Sequence, residues 1–358
     1  MRRSLASAPA VSVEASSICL LRLSALGDAT HVVPLIRSIQ RERPGAAITW
    51  IIGKAEASML AGLEGVELIV FDKKAGWDGV RTLHRALAGR RFDVLLQMQL
   101  ALRANLLSGL VRAERRIGYD RARSKEGHSL AINTRIAPGG HHVLDAFARF
   151  GEALEVPQGR VEWRLPIPAE AQEWAAAQWP DDEPVLLVSP CSSHRLRNWA
   201  PERYAAVATV AQRRGWRVVL CGGPSRLERD TADAILAALP GRDAVLDLVG
   251  RDTFKRFLAM AARADLLLSP DSGPVHMANA MGTRVIALHA CTDRERCGPY
   301  SDLRWSPNRY DEAARRFLGR PAAELPWGKR IEFPGVMDLI GVDEVVERFE
   351  ACATDLGC

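Results

Sequence analysis

The chain has 358 residues, 47% of them hydrophobic and 25% charged, with a formal charge of +5 in which arginine greatly outnumbers lysine. That length exceeds one ordinary core and predicts two domains of a folded globular protein. A charge this modest, without a dense basic block or interleaved aromatics, excludes nucleic acid as the expected partner, and no uncharged apolar run is long enough to span a bilayer.

Residues 1–17, "MRRSLASAPAVSVEASS", carry two arginines but no continuous apolar stretch, and read as a disordered or misassigned leader. From Ile18 short apolar runs alternate with segments of helical spacing. "ICLLRL" leads into "HVVPLIRSIQRER", "AAITWII" into "KAEASMLAGL", "VELIVF" into "WDGVRTLHRALAG", and "FDVLLQM" into "ALRANLLSGLV". Runs of this length suit buried parallel strands, so the series predicts βαβα units. The stretch from Gly151 to Pro184, rich in proline and acids, breaks the rhythm as a linker does.

The alternation then restarts with "VLLVSP", a helix from Pro201, "WRVVLCGG", a helix from Ser225, "AVLDLVG", a helix at "TFKRFLAMAA", "ADLLLSP", a short helix at "PVHMANAM" and "RVIALH". The expected fold is α/β, with two doubly wound domains facing each other across a cleft. Residues 18–165 and 180–335 form the two domains, and 336–358 a last helix of undetermined docking. Such sheets bind ligands at the carboxyl ends of their strands.

The chemistry-bearing stretches fall at those ends. In "RLSALGDATHVVPL", Gly27 permits an unusual turn and Asp28 stands where a helix begins. Asp28 is either an N-cap or a general base facing the cleft. "SPCSSHRLRNWAPERY" presents Ser193, Arg195 and Arg197 before the Pro201 helix; hydroxyls and guanidinium forks suit a diphosphate, and a solvated loop is the alternative. "CGGPSRLERD" pairs two glycines with Glu228, which either accepts from ribose hydroxyls or is a surface acid paired with arginine.

In "LLLSPDSGPVHMANAMG", Asp271, Ser272 and Gly273 precede a helix whose free amides attract anions. A serine nucleophile is disfavoured, since no GxSxG elbow is present and His276 on the same short helix is poorly placed as its base. His276 is more often a buried structural histidine, and His141 and His142 either cap a helix or line the cleft. Trp199 and Trp327 read as core or loop anchors.

The seven cysteines are odd in number and lack a CxxC pair, which predicts a reducing, cytoplasmic compartment rather than a disulfide framework. Cys291, Cys297 and His289 lie near one another, but without a second cysteine cluster they do not make a zinc pattern.

Taken in order, "LSALGDATHVVPL", "SSHRLRNWAPERY" and "SPDSGPVHMANAMGTRVIALH" followed by "TDRERCGPY" resemble glycosyltransferase family 9, the ADP-heptose:lipopolysaccharide heptosyltransferases, over nearly the whole chain from Ile18. The resemblance implies the GT-B fold of two Rossmann-like domains, with the donor held by the C-terminal one and the acceptor mainly by the N-terminal one. It implies an inverting transferase with ADP-heptose as donor substrate, no cofactor and no divalent metal.

The family's catalytic aspartate falls on Asp28 and its diphosphate-binding basic residue on Arg197, a lysine in most members. Its D-[ST]-G-x-x-H signature falls on Asp271, Ser272, Gly273 and His276, and its ribose-binding glutamate on Glu228. Ser193 and Arg195 join the donor side. The usual "GPTDP" appears here as "ACTDR", so Ala290, Cys291 and Arg294 depart from the pattern around the donor.

The implied acceptor is the Kdo-bearing inner core of lipid A, which places the enzyme peripherally at the cytoplasmic face of the inner membrane. The basic stretch from Leu110 to His128 is then an acceptor or membrane patch, or else a solvated face. Gly27, Arg121, Arg123, Lys125 and His141 are expected either on the acceptor side or supporting the site from behind. Rival functions are a related transferase using another nucleotide sugar such as UDP-N-acetylglucosamine, a GT-B-shaped epimerase, and a nucleotide-binding scaffold without catalysis. An intact Asp28 argues against the scaffold, because phosphate binding needs no base.

Overall fold

The structure, a computed structural model, describes residues 15–179 and 183–358. Its first half runs β1 (Ser17–Leu21), α1 (Leu26–Glu42), β2 (Ala47–Gly53), α2 (Lys54–Leu60), β3 (Val66–Phe71), α3 (Gly76–Leu87), β4 (Phe92–Gln97), α4 (Leu102–Ser108), β5 (Ala113–Gly118), α5 (His128–Ala131), β6 (Thr134–Arg135) and α6 (Val143–Ala153). All strands pair in parallel, in the order β3-β2-β1-β4-β5-β6. The chain winds outward from β1 and then returns to β4 on its other side. The carboxyl ends of β1 and β4 therefore frame a switch point, where such sheets open a crevice.

The second half continues with α7 (Ala169–Ala176), β7 (Val185–Val188), α8 (Pro201–Arg213), β8 (Arg217–Leu220), α9 (Arg226–Ala238), β9 (Val245–Asp247), α10 (Phe254–Ala261), β10 (Leu266–Pro270), α11 (Gly273–Met281), β11 (Arg284–Leu288), α12 (Arg294–Cys297), α13 (Tyr310–Leu318) and α14 (Val342–Leu356). Its strand order, β11-β10-β7-β8-β9, puts the switch between β7 and β10. The short apolar runs are strands because helices cover both faces. Leu20 and Leu21, on opposite faces of β1, are both fully buried, each worth roughly 1.5–3 kcal/mol of transfer free energy.

The two halves meet through their helices. α1 packs on α11, and α2 touches α10. Lys255 of α10 donates to the carbonyls of Ala61 and Pro166, each at 2.7 Å, and burial pulls its pKa down to about 8.

Several details differ from the sequence reading. Residues 1–14 of the expected leader and 180–182 of the expected linker lie outside the described residues. Ser17 already belongs to β1, and the Ser16 and Ser17 amides donate to Asp93 at 2.8 and 2.9 Å. The linker contains α7, because Ala171 and Ala175 give it an apolar side to bury. The basic stretch is not one solvated face. β5 runs through it, Arg116 donates to the carbonyls of Ser108, Val111 and Ala131, and Arg115 donates to that of Ala153. α14 docks beside α8 and β11, with Phe349 edge-on to Trp216 at 5.2 Å.

Candidate active site

Asp28 sits in the first turn of α1, which starts at Leu26 with Ala25 as its N-cap. It is thus the third helical residue and not the cap itself, though its carboxylate reaches back to the Ala25 amide at 3.4 Å. The Arg22 guanidinium, at the carboxyl end of β1, donates to this carboxylate and to the Met98 carbonyl beyond β4. The approach loop is fixed: the Leu23 amide donates to Gln99 Oε1 at 2.6 Å, and Trp50 Nε1 to the Arg22 carbonyl at 3.1 Å. Asp28 thereby keeps one orientation while its side chain stays 29% exposed at the crevice.

Facing it, Ser272 is the N-cap of α11, with extended backbone and no side-chain cap bond to the helix. Its hydroxyl instead shares a 2.9 Å hydrogen bond with Ser269. The first-turn amides of α11, Gly273 and Val275 among them, are therefore not capped by that side chain, and an uncapped helix start is what an anion requires. This arrangement also disposes of the serine nucleophile. The Ser272 hydroxyl is paired with another hydroxyl, while the His276 ring is buried, neutral and packed edge-on to His31 at 4.6 Å.

The two helix starts touch. A Cβ on Gly27 would stand 2.2 Å from His276 Cδ2, and one on Gly273 would stand 3.1 Å from Leu26 Cβ. Glycine at both positions lets α1 and α11 meet end to end. The Asp28 carboxylate, in the first turn of α1, consequently lies close to the start of α11.

Behind α11, Asp271 is nearly buried and gathers Arg197 at 3.9 Å, His276 at 3.9 Å and the Cys297 thiol at 3.7 Å. Burial alone would raise its pKa, but His289, His276, Arg197 and a hydrogen bond from Thr292 together hold it below the usual carboxylate value. Burial also keeps both imidazoles low, His289 at about 4, so at neutral pH the Arg197 and Thr292 contacts carry that effect. Asp271 positions its neighbours rather than facing the crevice directly.

Arg197, on the turn after β7, is held by Glu332 through Nε at 2.7 Å. Glu332 lies 135 residues away, and no motif in the sequence announces it. Ser193 and Arg195 are exposed on the same turn. Arg195 leaves the Asp271 cluster and lines a separate cavity of about 540 Å³ with Pro201, Arg226, Leu227, Asp230 and Thr231.

Glu228 stands in the first turn of α9, its amide donating to the N-cap Ser225 hydroxyl at 3.3 Å. It accepts from the Gly223 amide at 2.7 Å and the Ser225 hydroxyl at 2.6 Å, and lies over the Gly222–Gly223 turn. Asp252, which the sequence reading passed over, joins it: burial and the Glu228 charge push its carboxyl up to about 7.

Of the residues expected on the acceptor side, Arg121 and Lys125 are exposed. Arg123 is committed to the Asp120 carboxylate at 3.3 Å and the carbonyls of Gly139 and Gly140, so it holds a turn together. His141 pairs with Asp293 at 2.7 Å across the two halves, and His142 donates to the Gly298 carbonyl at 3.0 Å while its other ring nitrogen caps α6. Tyr300 adds a 2.9 Å bond to Asp145.

Asp271, His289 and Cys297 offer ligand atoms within 4.8 Å of one another, the one such trio among the described residues. Burial pushes the Cys297 thiol up to about 12, and it donates to the Asp293 carbonyl at 3.3 Å, so the trio is a neutral thiol and a neutral imidazole gathered around a carboxylate. Cys291, from the expected zinc check, is instead bonded to the Leu196 carbonyl.

A family model described as glycosyltransferase family 9 (heptosyltransferase) matches residues 80–314. The chain is 38% identical over 331 residues to the lipopolysaccharide core heptosyltransferase OpsX of Haemophilus influenzae, covering 92% of this chain and 95% of that protein. Its fold is similar to that of a glycosyl transferase family 9 protein from Veillonella parvula, with a TM-score of 0.76 and 19% identity over 95% of this chain and 97% of the other. The Escherichia coli heptosyltransferase WaaC, solved with ADP, gives a TM-score of 0.66 and 20% identity over 79% and 90% of the two chains. Two doubly wound sheets meeting at α1 and α11, a matched family model and a relative of this likeness agree: the chain is a glycosyltransferase and belongs to glycosyltransferase family 9, the heptosyltransferases.

Proposed function

We propose that this chain transfers a heptose from ADP-L-glycero-D-manno-heptose, with inversion, to the Kdo-containing inner core of lipopolysaccharide. The observation that carries the reading is the contact of Gly27 with His276, which brings the Asp28 carboxylate to the open end of α11. In this reading residues 18–165 hold the acceptor and residues 180–335 the donor.

Asp28 takes the proton of the acceptor hydroxyl as that oxygen attacks the anomeric carbon, and Arg22 keeps the carboxylate aimed. The bond from the anomeric carbon to the diphosphate breaks on the opposite face, and its electron pair leaves with ADP. Negative charge then grows on the diphosphate, where the Gly273 and Val275 amides, the Ser272 hydroxyl and Arg197 stabilise it more than they do the bound donor. Amides and guanidinium here take the part a divalent ion plays in other transferases. Asp271 and His276 position this end of the cleft, Glu228 with Asp252 faces the ribose, and Ser193 and Arg195 flank the approach.

The acceptor's membrane supports a further part of the reading. None of the helices among the described residues is long and apolar enough to cross a membrane. Leu102, Leu106 and Leu130 are 53%, 70% and 93% exposed, and the exposed side chains of Arg103, Arg121 and Lys125 share that rim of the first sheet. Leucines among unpaired cations suit the anionic surface of the cytoplasmic leaflet.

The test is transfer from ADP-heptose and from UDP-N-acetylglucosamine to a Kdo-bearing lipid A, with product mass and anomeric configuration read out. An ADP-heptose product with inverted configuration is expected. Calorimetry showing tighter binding of UDP than of ADP overturns the donor assignment.

A further inference from the structure

The arginines around the crevice are nearly all spoken for: Arg22 by Asp28 and Met98, Arg197 by Glu332, Arg123 by Asp120 and two carbonyls, and Arg294 by Glu295 and the Ser306 carbonyl. Arg296 is different. It lies on α12, just after the stretch where the chain departs from the family pattern, and its guanidinium has no hydrogen bond or ion pair among the described residues. It is nevertheless held in place. Its guanidinium carbon sits 5.1 Å from the centre of the Trp327 indole, and that of Arg123, from the other half, sits 5.3 Å from the same ring. Trp327 is itself fixed by donating to the His141 carbonyl at 3.0 Å.

The surroundings explain why an arginine is tolerated there. Burial opposes its charge, but the carboxylates of Asp271, Asp28 and Asp293 favour it. The neighbours on its own turn point the same way: Cys297 touches Asp271, and Asp293 reaches across to His141. A stacked guanidinium keeps its N–H edges available, because the indole occupies a face of the group and not its donors. The result is a half-buried guanidinium, pinned by the indole and without a hydrogen-bond partner among the described residues, within electrostatic reach of both the proposed base and Asp271.

We propose that Arg296 is a substrate-binding residue that donates to an oxyanion of the bound reactants at the point where donor and acceptor meet. The oxygen belongs either to the donor's diphosphate or to a carboxylate of the acidic acceptor sugar. Trp327, stacked on it, is a positioning residue. The inference rests on the reading of this crevice as the transfer centre.

Two variants and two measurements decide it. Arg296→Gln removes the charge, and Arg296→Lys keeps the charge without the fork. ADP affinity by calorimetry and KM for a Kdo-bearing lipid A are compared with the parent chain, with the melting midpoint recorded for each. Loss of a charge-assisted bond predicts that Arg296→Gln weakens one of the two by about 10–100-fold, and that lysine restores part of it. A fall in ADP affinity assigns the diphosphate. An unchanged ADP affinity with a raised acceptor KM assigns the carboxylate. If both stay at the parent values in folded Arg296→Gln, or in Arg296→Lys should the glutamine variant fail to fold, the proposal is overturned. Failure of the parent chain itself to bind ADP sinks the reading of the crevice and is thereby told apart from a failure of Arg296 alone.

Discussion

Gly27 lies directly against the imidazole of His276, so close that a Cβ at position 27 would stand 2.2 Å from the ring. The ring cannot step aside, because His31 packs edge-on against it at 4.6 Å and is itself edge-on to His142 at 5.4 Å. One methyl at position 27 must therefore push α1 and α11 apart. Overpacking of this kind costs about 1–3 kcal/mol, and the displacement separates the proposed base from the proposed phosphate cradle. Gly27→Ala is expected to lower the melting midpoint and to cut transfer more than ADP affinity. Adding His276→Ala should recover much of the midpoint, since it removes the atoms the methyl meets. A Gly27→Ala enzyme with unchanged turnover shows that the contact is dispensable.

Asp28→Asn tests the chemistry without disturbing the packing. The amide still accepts from Arg22 and from the Ala25 amide but does not take a proton at neutral pH. Loss of general base catalysis is expected to cost about 10²–10⁴-fold in kcat. ADP affinity, measured by calorimetry, should stay near the parent value because the proposed reading puts the diphosphate at the other helix. Full turnover by this variant sinks the assignment of the base.

The layout of strands and helices was readable because buried parallel strands write themselves as short apolar runs, as "ICLLRL" and "ADLLLSP" do. The helix in "AEAQEWAA" and the strand in "AERRIG" were hidden by what surrounds them, prolines in one case and arginines in the other. Arg115 and Arg116 look solvated in the sequence, yet their guanidinium groups are spent on backbone carbonyls. Local motifs also located Asp28, Ser272 and Gly273, since a strand end followed by a helix start is a feature of neighbouring residues. The partners that tune those residues are not local. Glu332 reaches Arg197 across 135 positions, Asp293 reaches His141 across 152, and only the folded chain reveals such pairs.

The buried histidines give the protein a signed response to pH. Unfolded, an imidazole takes up its proton near pH 6.5, whereas burial holds His142 and His289 neutral down to about 4. Between those values the unfolded chain binds more protons, so stability is full above pH 6.5 and falls as the pH drops toward 4. The loss per histidine is on the order of 3 kcal/mol at the acid end. Thermal melts from pH 7.5 to 4.5 should show the decline. His142→Asn keeps an α6 cap without a titrating ring, and its decline should be shallower. An identical slope in that variant removes His142 from the account.

The exposed leucines can be separated from the transfer centre. Leu102 and Leu106 are one helical turn apart on α4, and Leu130 lies on α5, which packs beside it through the His128–Asn105 bond of 3.0 Å. None of the three contributes to the crevice between α1 and α11, so charged replacements there should leave soluble-ligand binding alone. Leu102→Glu, Leu106→Glu and Leu130→Glu combined are expected to abolish flotation with vesicles containing anionic lipid, with ADP affinity and melting midpoint unchanged. Transfer to a lipid-embedded acceptor should fall with the flotation, while transfer to a delipidated acceptor oligosaccharide should not. Equal flotation of the triple variant and the parent chain overturns the assignment of these leucines to a membrane contact.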